Sequence, residues 1–328
     1  MRRGCFVVPG GLERVTGGNV YDAVVIDELR GRDWDVDVVE AEDVDDSFDV
    51  VVVDSLAFRF GRPQIRTPYI ALVHQLPSAA AGFPEPSVQE RDTLRFADRV
   101  IVVASWLVAE LSRFTDAAVD VIEPGRDRAW AVDGARPDGS SVLCVANAVP
   151  GKGVPDAIEA FSRRAPGEAT LTLIGDLTVD PEEAERIDTA VAASSRAVER
   201  AGVLEPAQLA DRYANARVLL SPTRYEGRPI AVAEAMASGM PVVGYDVPGM
   251  RELVRPGRDG LLARPGDLDE LAGCLADLLE TPGLAEAMSL AARRRALDWP
   301  TWKETARRFA DVLEGGASRT GAQDTVAR

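Results

Sequence analysis

Lysine is nearly missing from this 328-residue chain. Of its 37 basic residues only Lys152 and Lys303 are lysines, and the rest are arginines. Histidine occurs once, at His74, and cysteine three times, at Cys5, Cys144 and Cys274. Scattered cysteines give no metal-site spacing, and their odd number argues against a disulfide framework. No apolar run reaches the roughly 18 residues of a membrane span. The apolar run behind the two N-terminal arginines is too short for a signal-peptide core. A cytoplasmic location follows as the expectation. Basic surplus is lacking too. A net charge of −16 argues against nucleic acid as the main partner, because neutralising phosphates needs a basic face. No Gly-x-Gly-x-x-Gly follows the first apolar run, which disfavours a dinucleotide-dependent dehydrogenase. Scarce lysine beside abundant acid fits a salt-loving host or a GC-rich genome equally.

What is present reads as α/β. The length suits two domains, each with its own core. Strand-length apolar runs occur at Cys5–Val8, Val36–Val39, Val50–Val53, Tyr69–Val73, Val100–Val103 and Val119–Ile122. A second series follows at Val142–Ala146, Thr170–Ile174, Val218–Leu220 and Val242–Gly244. Helical patterns lie between them at Val20–Arg30, Ser87–Ala97, Asp156–Arg163, Leu209–Ala214 and Val232–Ser238. Short strands alternating with helices imply parallel sheets covered on both faces. The Gly-, Pro- and charge-rich residues 123–140 separate the two series and mark the boundary. The acidic run from Asp33 to Asp54 reads as a solvated loop between two strands.

Two glycine-bearing loops echo each other. GGNVYDAVV (17–25) and GKGVPDAIE (151–159) share Gly, Val, Asp, Ala and an apolar residue in register. Each leads from an opening strand into a helix. A helix N-terminus offers unpaired N–H groups and a positive dipole end, and glycine lets a phosphate approach the backbone. The pair of loops therefore suggests a cleft that grips a phosphorylated ligand. Lys152 fits that reading, since a compact ammonium is a good point-charge partner for phosphate. Further on, Glu226 lies in a loop after a strand and Glu234 eight residues later in a helical stretch. Such carboxylates can accept hydrogen bonds from the neighbouring hydroxyls of a sugar or ribose.

These residues resemble a known family. SPTRYEGRPIAVAEAMASGMPVV is similar to the Glu-x7-Glu motif of the retaining glycosyltransferases of family 4, which have the GT-B fold. NAVPGKGVPDAIEAF resembles that family's donor-phosphate loop, TGGNVYDAVVIDEL its N-terminal glycine loop, and VIEPGRD its hinge. DWPTWKETARRFADVL is similar to its final helix, which crosses back to the first domain. The resemblance covers nearly the whole chain and is densest over 142–262.

The resemblance implies two Rossmann-like domains with parallel sheets facing across a cleft. Residues 1–125 would form the acceptor side and 126–298 the nucleotide-sugar side. Residues 299–315 would form the returning helix, and 316–328 a disordered tail. Glu234 would hold the ribose of a nucleoside-diphosphate sugar and Glu226 the transferred sugar. Lys152 would contact the diphosphate, covered by Gly17 and Gly18, with His74 facing the donor sugar. Asn147, Gly151, Gly153, Gly227 and Arg228 complete the expected donor site. The chain departs from the pattern at Asn147, where an arginine is common, and at Pro229, where a glycine is usual; Arg224 or Arg228 could supply the missing charge. The implied reaction is metal- and cofactor-independent transfer to a hydroxyl acceptor, whether small molecule, glycan or lipid-linked. Rival expectations are a GT-B epimerase or phosphorylase and a non-catalytic nucleotide-sugar-binding protein.

Overall fold

Strands rich in Val, Ile and Leu on both faces must be covered on both, and the chain does this twice. The structure, a computed structural model, describes residues 2–83, 85–126 and 140–315. In the first domain β1 (Arg2–Val7), β2 (Trp34–Val39), β3 (Val50–Asp54), β4 (Tyr69–Val73), β5 (Arg99–Val102) and β6 (Ala118–Val121) form one parallel sheet. Its order is β2-β1-β3-β4-β5-β6. Helices α1 (Gly17–Arg30), α2 (Pro77–Ala80), α3 (Val88–Arg95) and α4 (Ser105–Leu111) connect these strands.

The second sheet contains β7 (Ser141–Val145), β8 (Thr170–Ile174), β9 (Ala197–Gly202), β10 (Val218–Ser221), β11 (Val242–Tyr245) and β12 (Gly260–Ala263). It is also parallel, in the order β12-β11-β10-β7-β8-β9. Around it pack α5 (Val154–Arg164), α6 (Pro181–Ala193), α7 (Pro206–Asn215), α8 (Ile230–Ala237), α9 (Pro248–Leu253), α10 (Leu268–Glu280) and α11 (Pro282–Leu297). Each sheet has its own apolar core. The last helix, α12 (Trp302–Leu313), returns to the first core, where Phe309 is buried beside Phe6 and Tyr21. Burying one such ring contributes about 1.5–3 kcal/mol.

Every strand read from the sequence is present, and two more appear. β9, AVERAG, lies at a sheet edge and is mostly exposed, so it carries no apolar run. β12, GLLA, is the opposite edge and only four residues long. The first helix also begins earlier than expected, at Gly17, because the Thr16 hydroxyl accepts the Asn19 N–H at 3.0 Å and caps it. In the acidic run, Asp46 accepts from the Arg66 and Thr67 backbones at 2.6 and 3.0 Å, and Arg3 pairs with Asp37 at 3.3 Å. Residues 127–139 of the expected boundary and the expected tail 316–328 lie outside the described residues.

Candidate active site

In both sheets the strand order reverses beside the first strand, between β1 and β3 and between β7 and β10. At such a reversal successive loops leave the strand ends in opposite directions, and the crevice between them is where open α/β sheets bind ligands. The two glycine loops follow β1 and β7. The Glu226 loop follows β10, and Asp54 ends β3.

The second-domain crevice is built by backbone ties. Arg224 N–H donates to Gly151 O at 2.8 Å, and the Thr223 hydroxyl lies 3.1 Å from the same oxygen. Gly153 holds a left-handed φ of 65°, and a Cβ there would strike the Pro222 carbonyl. Only glycine suits both conditions. The loops so joined bring Lys152 Nζ onto Glu226 Oε1 as an ion pair. Glu234 follows in the second turn of α8, where the buried Tyr213 hydroxyl lies 3.2 Å from its Oε2.

Asp156 occupies the echoed position in α5. It accepts from Arg224 at 2.6 Å and from the Tyr245 hydroxyl at 2.9 Å. Burial, with Asp156 next, pushes the Tyr245 hydroxyl well above its ordinary value, so it remains a donor.

Asp22 is the matching residue in α1. His74 Nε2 lies 3.1 Å from Asp22 Oδ1 and 3.1 Å from Asp54 Oδ2, and both carboxylates are buried. Burial works against charge on His74, but Asp22 and Asp54 outweigh it and raise the imidazole to about 10. Burial raises Asp22 to about 7, against the pull of His74 and with the push of Asp54. Among the described residues these three are the one group whose ligand atoms sit closely enough to hold a metal ion. Their contacts already form an ion pair through Nε2, the nitrogen a metal would need.

The two domains meet at this cleft. A Cβ on Gly17 would lie 3.3 Å from Ile230 of α8 and one on Gly227 would strike the His74 carbonyl, while within the first domain a Cβ on Gly18 would lie 3.1 Å from the His74 ring. Trp106 donates through Nε1 to Gly227 O at 2.8 Å. Glu252 of α9 accepts from Ser105 Oγ at 2.7 Å and Trp106 N–H at 2.9 Å, capping α4 from the other domain.

These contacts correct one expectation and add a role to another. The Arg228 guanidinium is only 3% exposed and faces Glu123 at 3.4 Å and Glu252 at 3.7 Å. A guanidinium so enclosed belongs to the interdomain seam, whereas Arg224, half exposed beside Gly151, keeps a charge near Lys152. The Asn147 amide is committed at both ends. Its Oδ1 accepts from Asp176 N–H at 2.9 Å, and its Nδ2 donates to Val15 O of the first domain at 3.0 Å. It therefore ties the two glycine loops together through one N–H of Nδ2, and the amide's second N–H has no partner among these bonds.

Residues 139–281, which include the whole second sheet, match the family model described as glycosyl transferases group 1. The fold is GT-B. The chain superimposes on the sucrose-phosphate synthase of Thermosynechococcus elongatus with a TM-score of 0.82 at 19% identity, covering 96% of this chain and 99% of that one. HepE of Anabaena, solved with UDP-glucose, superimposes with a TM-score of 0.79 at 18% identity over 96% and 100%. In sequence the chain is 32% identical over 184 residues to the MMP alpha-(1->4)-mannosyltransferase of Mycolicibacterium hassiacum, covering 55% of this chain and 44% of that protein. It is 27% identical over 296 residues to the glycogen synthase of Mycobacterium tuberculosis, covering 86% and 69%. The chain thus spans under half the length of the mannosyltransferase it matches. No helix among the described residues is long and apolar enough to cross a membrane.

Proposed function

We propose that the protein transfers a sugar from a nucleoside-diphosphate sugar to a hydroxyl acceptor, with retention at the anomeric carbon and without a metal. The observation that carries the reading is the Lys152–Glu226 pair, set at the strand-order reversal of a group 1 glycosyl transferase segment. Lys152 neutralises the diphosphate, Glu226 accepts from hydroxyls of the transferred sugar, and Glu234 accepts from the ribose. The acceptor hydroxyl attacks from the leaving group's own face, and the departing phosphate takes its proton. The bond to the diphosphate breaks as the bond to the acceptor oxygen forms, so the charge to be stabilised grows on phosphate oxygens. Fixed donors are effective there because they need no reorganisation at the moment of reaction.

Named relatives that move mannosyl units or build glycogen support sugar transfer. A thermal-shift screen of nucleotide sugars tests the reading, because a ligand that binds only the native state raises the melting temperature. The stabilising donor should then be consumed, by transfer or slow hydrolysis, equally well in EDTA. Binding without consumption would make the protein a non-catalytic binder.

A further inference from the structure

Resting on that reading, we propose that Asp22 and Asp54 are positioning residues that keep His74 an imidazolium through neutral pH, so that it serves the donor sugar there as a charged hydrogen-bond donor and not as a general base.

Geometry carries the proposal. One ring nitrogen, Nε2, lies 3.1 Å from an oxygen of each of two carboxylates. Neither carboxylate can donate while ionised, so Nε2 must carry the proton. A Cβ on Gly18 would lie nearest His74 Cδ2, so the Cδ2–Nε2 edge faces the start of α1. Nδ1 lies on the ring's other edge, and no group among the described residues bonds it. The ring remains 15% exposed. Nε2 makes its hydrogen bond to Asp22 Oδ1, while Asp54 Oδ2 faces it as a charge; Asp22 Oδ2 and Asp54 Oδ2 are both buried without a hydrogen-bond partner among the described residues. An excess of buried negative charge around one imidazole favours a proton on both ring nitrogens. An imidazolium has no lone pair with which to accept a proton, and its Nδ1–H can only donate.

Other groups packed on the ring do not undo this. Tyr21 of α1 meets it edge-on at 5.2 Å, and burial pushes that hydroxyl far up, so it stays neutral. Ser55 Oγ accepts from the His74 backbone N–H at 3.3 Å. The Gly18 and Gly227 backbones carry no charge.

The test uses the fact that His74 is the chain's single histidine. Its Cε1–H resonance can be followed by proton–carbon NMR from pH 5 to 10 in the full-length protein without donor. This result does not depend on whether transfer occurs. The expected wild-type resonance stays at its protonated position through pH 8. In Asp54→Asn the midpoint falls by at least one pH unit. The kcat of Asp54→Asn should fall about tenfold or more at pH 8 and recover in part at pH 6, where the imidazole is protonated again. A wild-type midpoint near 6.5 would overturn the proposal, as would an unshifted midpoint in folded Asp54→Asn. So would a resonance moved by added Mn²⁺ or Zn²⁺, which would make the three residues a metal site. If Asp54→Asn does not fold, Asp22→Asn takes its place, and the wild-type titration stands alone as a decision.

Discussion

At the scale of single residues, Lys152 and Glu226 are partners in the free protein. Lys152→Ala therefore removes the proposed phosphate partner and also leaves a buried carboxylate without its ion-pair partner. Loss of one such oxyanion partner typically costs about 2.7–4 kcal/mol, or roughly a hundred- to a thousand-fold in turnover. Steady-state kinetics should show kcat falling by that range with KM changed less, and Lys152→Arg recovering only part. Glu226→Ala should leave affinity for the bare nucleotide nearly intact while cutting transfer, and Glu234→Ala should chiefly weaken nucleotide binding. Calorimetry separates the two, and equal losses would refute the division of roles. His74 also ties stability to pH. Its folded pKa is raised to about 10 from an unfolded value near 6.5. The stabilisation is complete below about pH 6.5 and drains away as pH rises towards 10. Denaturant midpoints should fall across that window in the wild type and less in His74→Gln. Lys152 was legible because lysine is so rare. Asp22 and Asp156 were visible as a shared letter of the two echoed loops, but their partners His74, Arg224 and Tyr245 come from other strands and loops, and sequence spacing says nothing about those.

At the scale of elements, the two glycine loops share a pattern and not a conformation. The first starts its helix at Gly17 under the Thr16 cap, while the second turns through Lys152 and starts its helix only after Gly153. Gly153→Ala must adopt a left-handed backbone, which costs roughly 1–2 kcal/mol, and must also push away the Pro222 carbonyl. Thermal denaturation should register that loss, and transfer should fall with it as Lys152 is displaced. Core strands were legible because both faces are buried and their apolar runs are continuous. β9 was not, since an exposed edge strand needs little apolar sequence, and β12 was not because its apolar run is only four residues long. Arg228 was misplaced for a related reason. It follows Glu226 by two residues, and only the packed seam shows that its side chain turns towards Glu123 and Glu252.

At the scale of the whole molecule, the domains touch through Trp106, Glu252, Arg228 and Asn147. Burial lowers the Arg228 pKa while Glu123 and Glu252 oppose it, so the guanidinium stays charged in the seam with these two carboxylates as its partners. Glu252→Ala removes the cap of α4, a loss of about 0.5–2 kcal/mol, and one of the two partners of Arg228. Small-angle scattering should show a larger radius of gyration for this variant without donor, and donor should reduce it again. An unchanged radius would mean that the remaining contacts hold the cleft alone.

The cap that Glu252 places on α4 also works as a clock. The Trp106 amide is bonded to a carboxylate of the other domain and not to its own helix, so its hydrogen exchanges with solvent when that interdomain bond lets go. Its exchange rate in heavy water reports the opening of this interdomain bond, at one identifiable site and without any substrate. Set beside the turnover number, that rate tells whether each catalytic cycle waits for the protein to open.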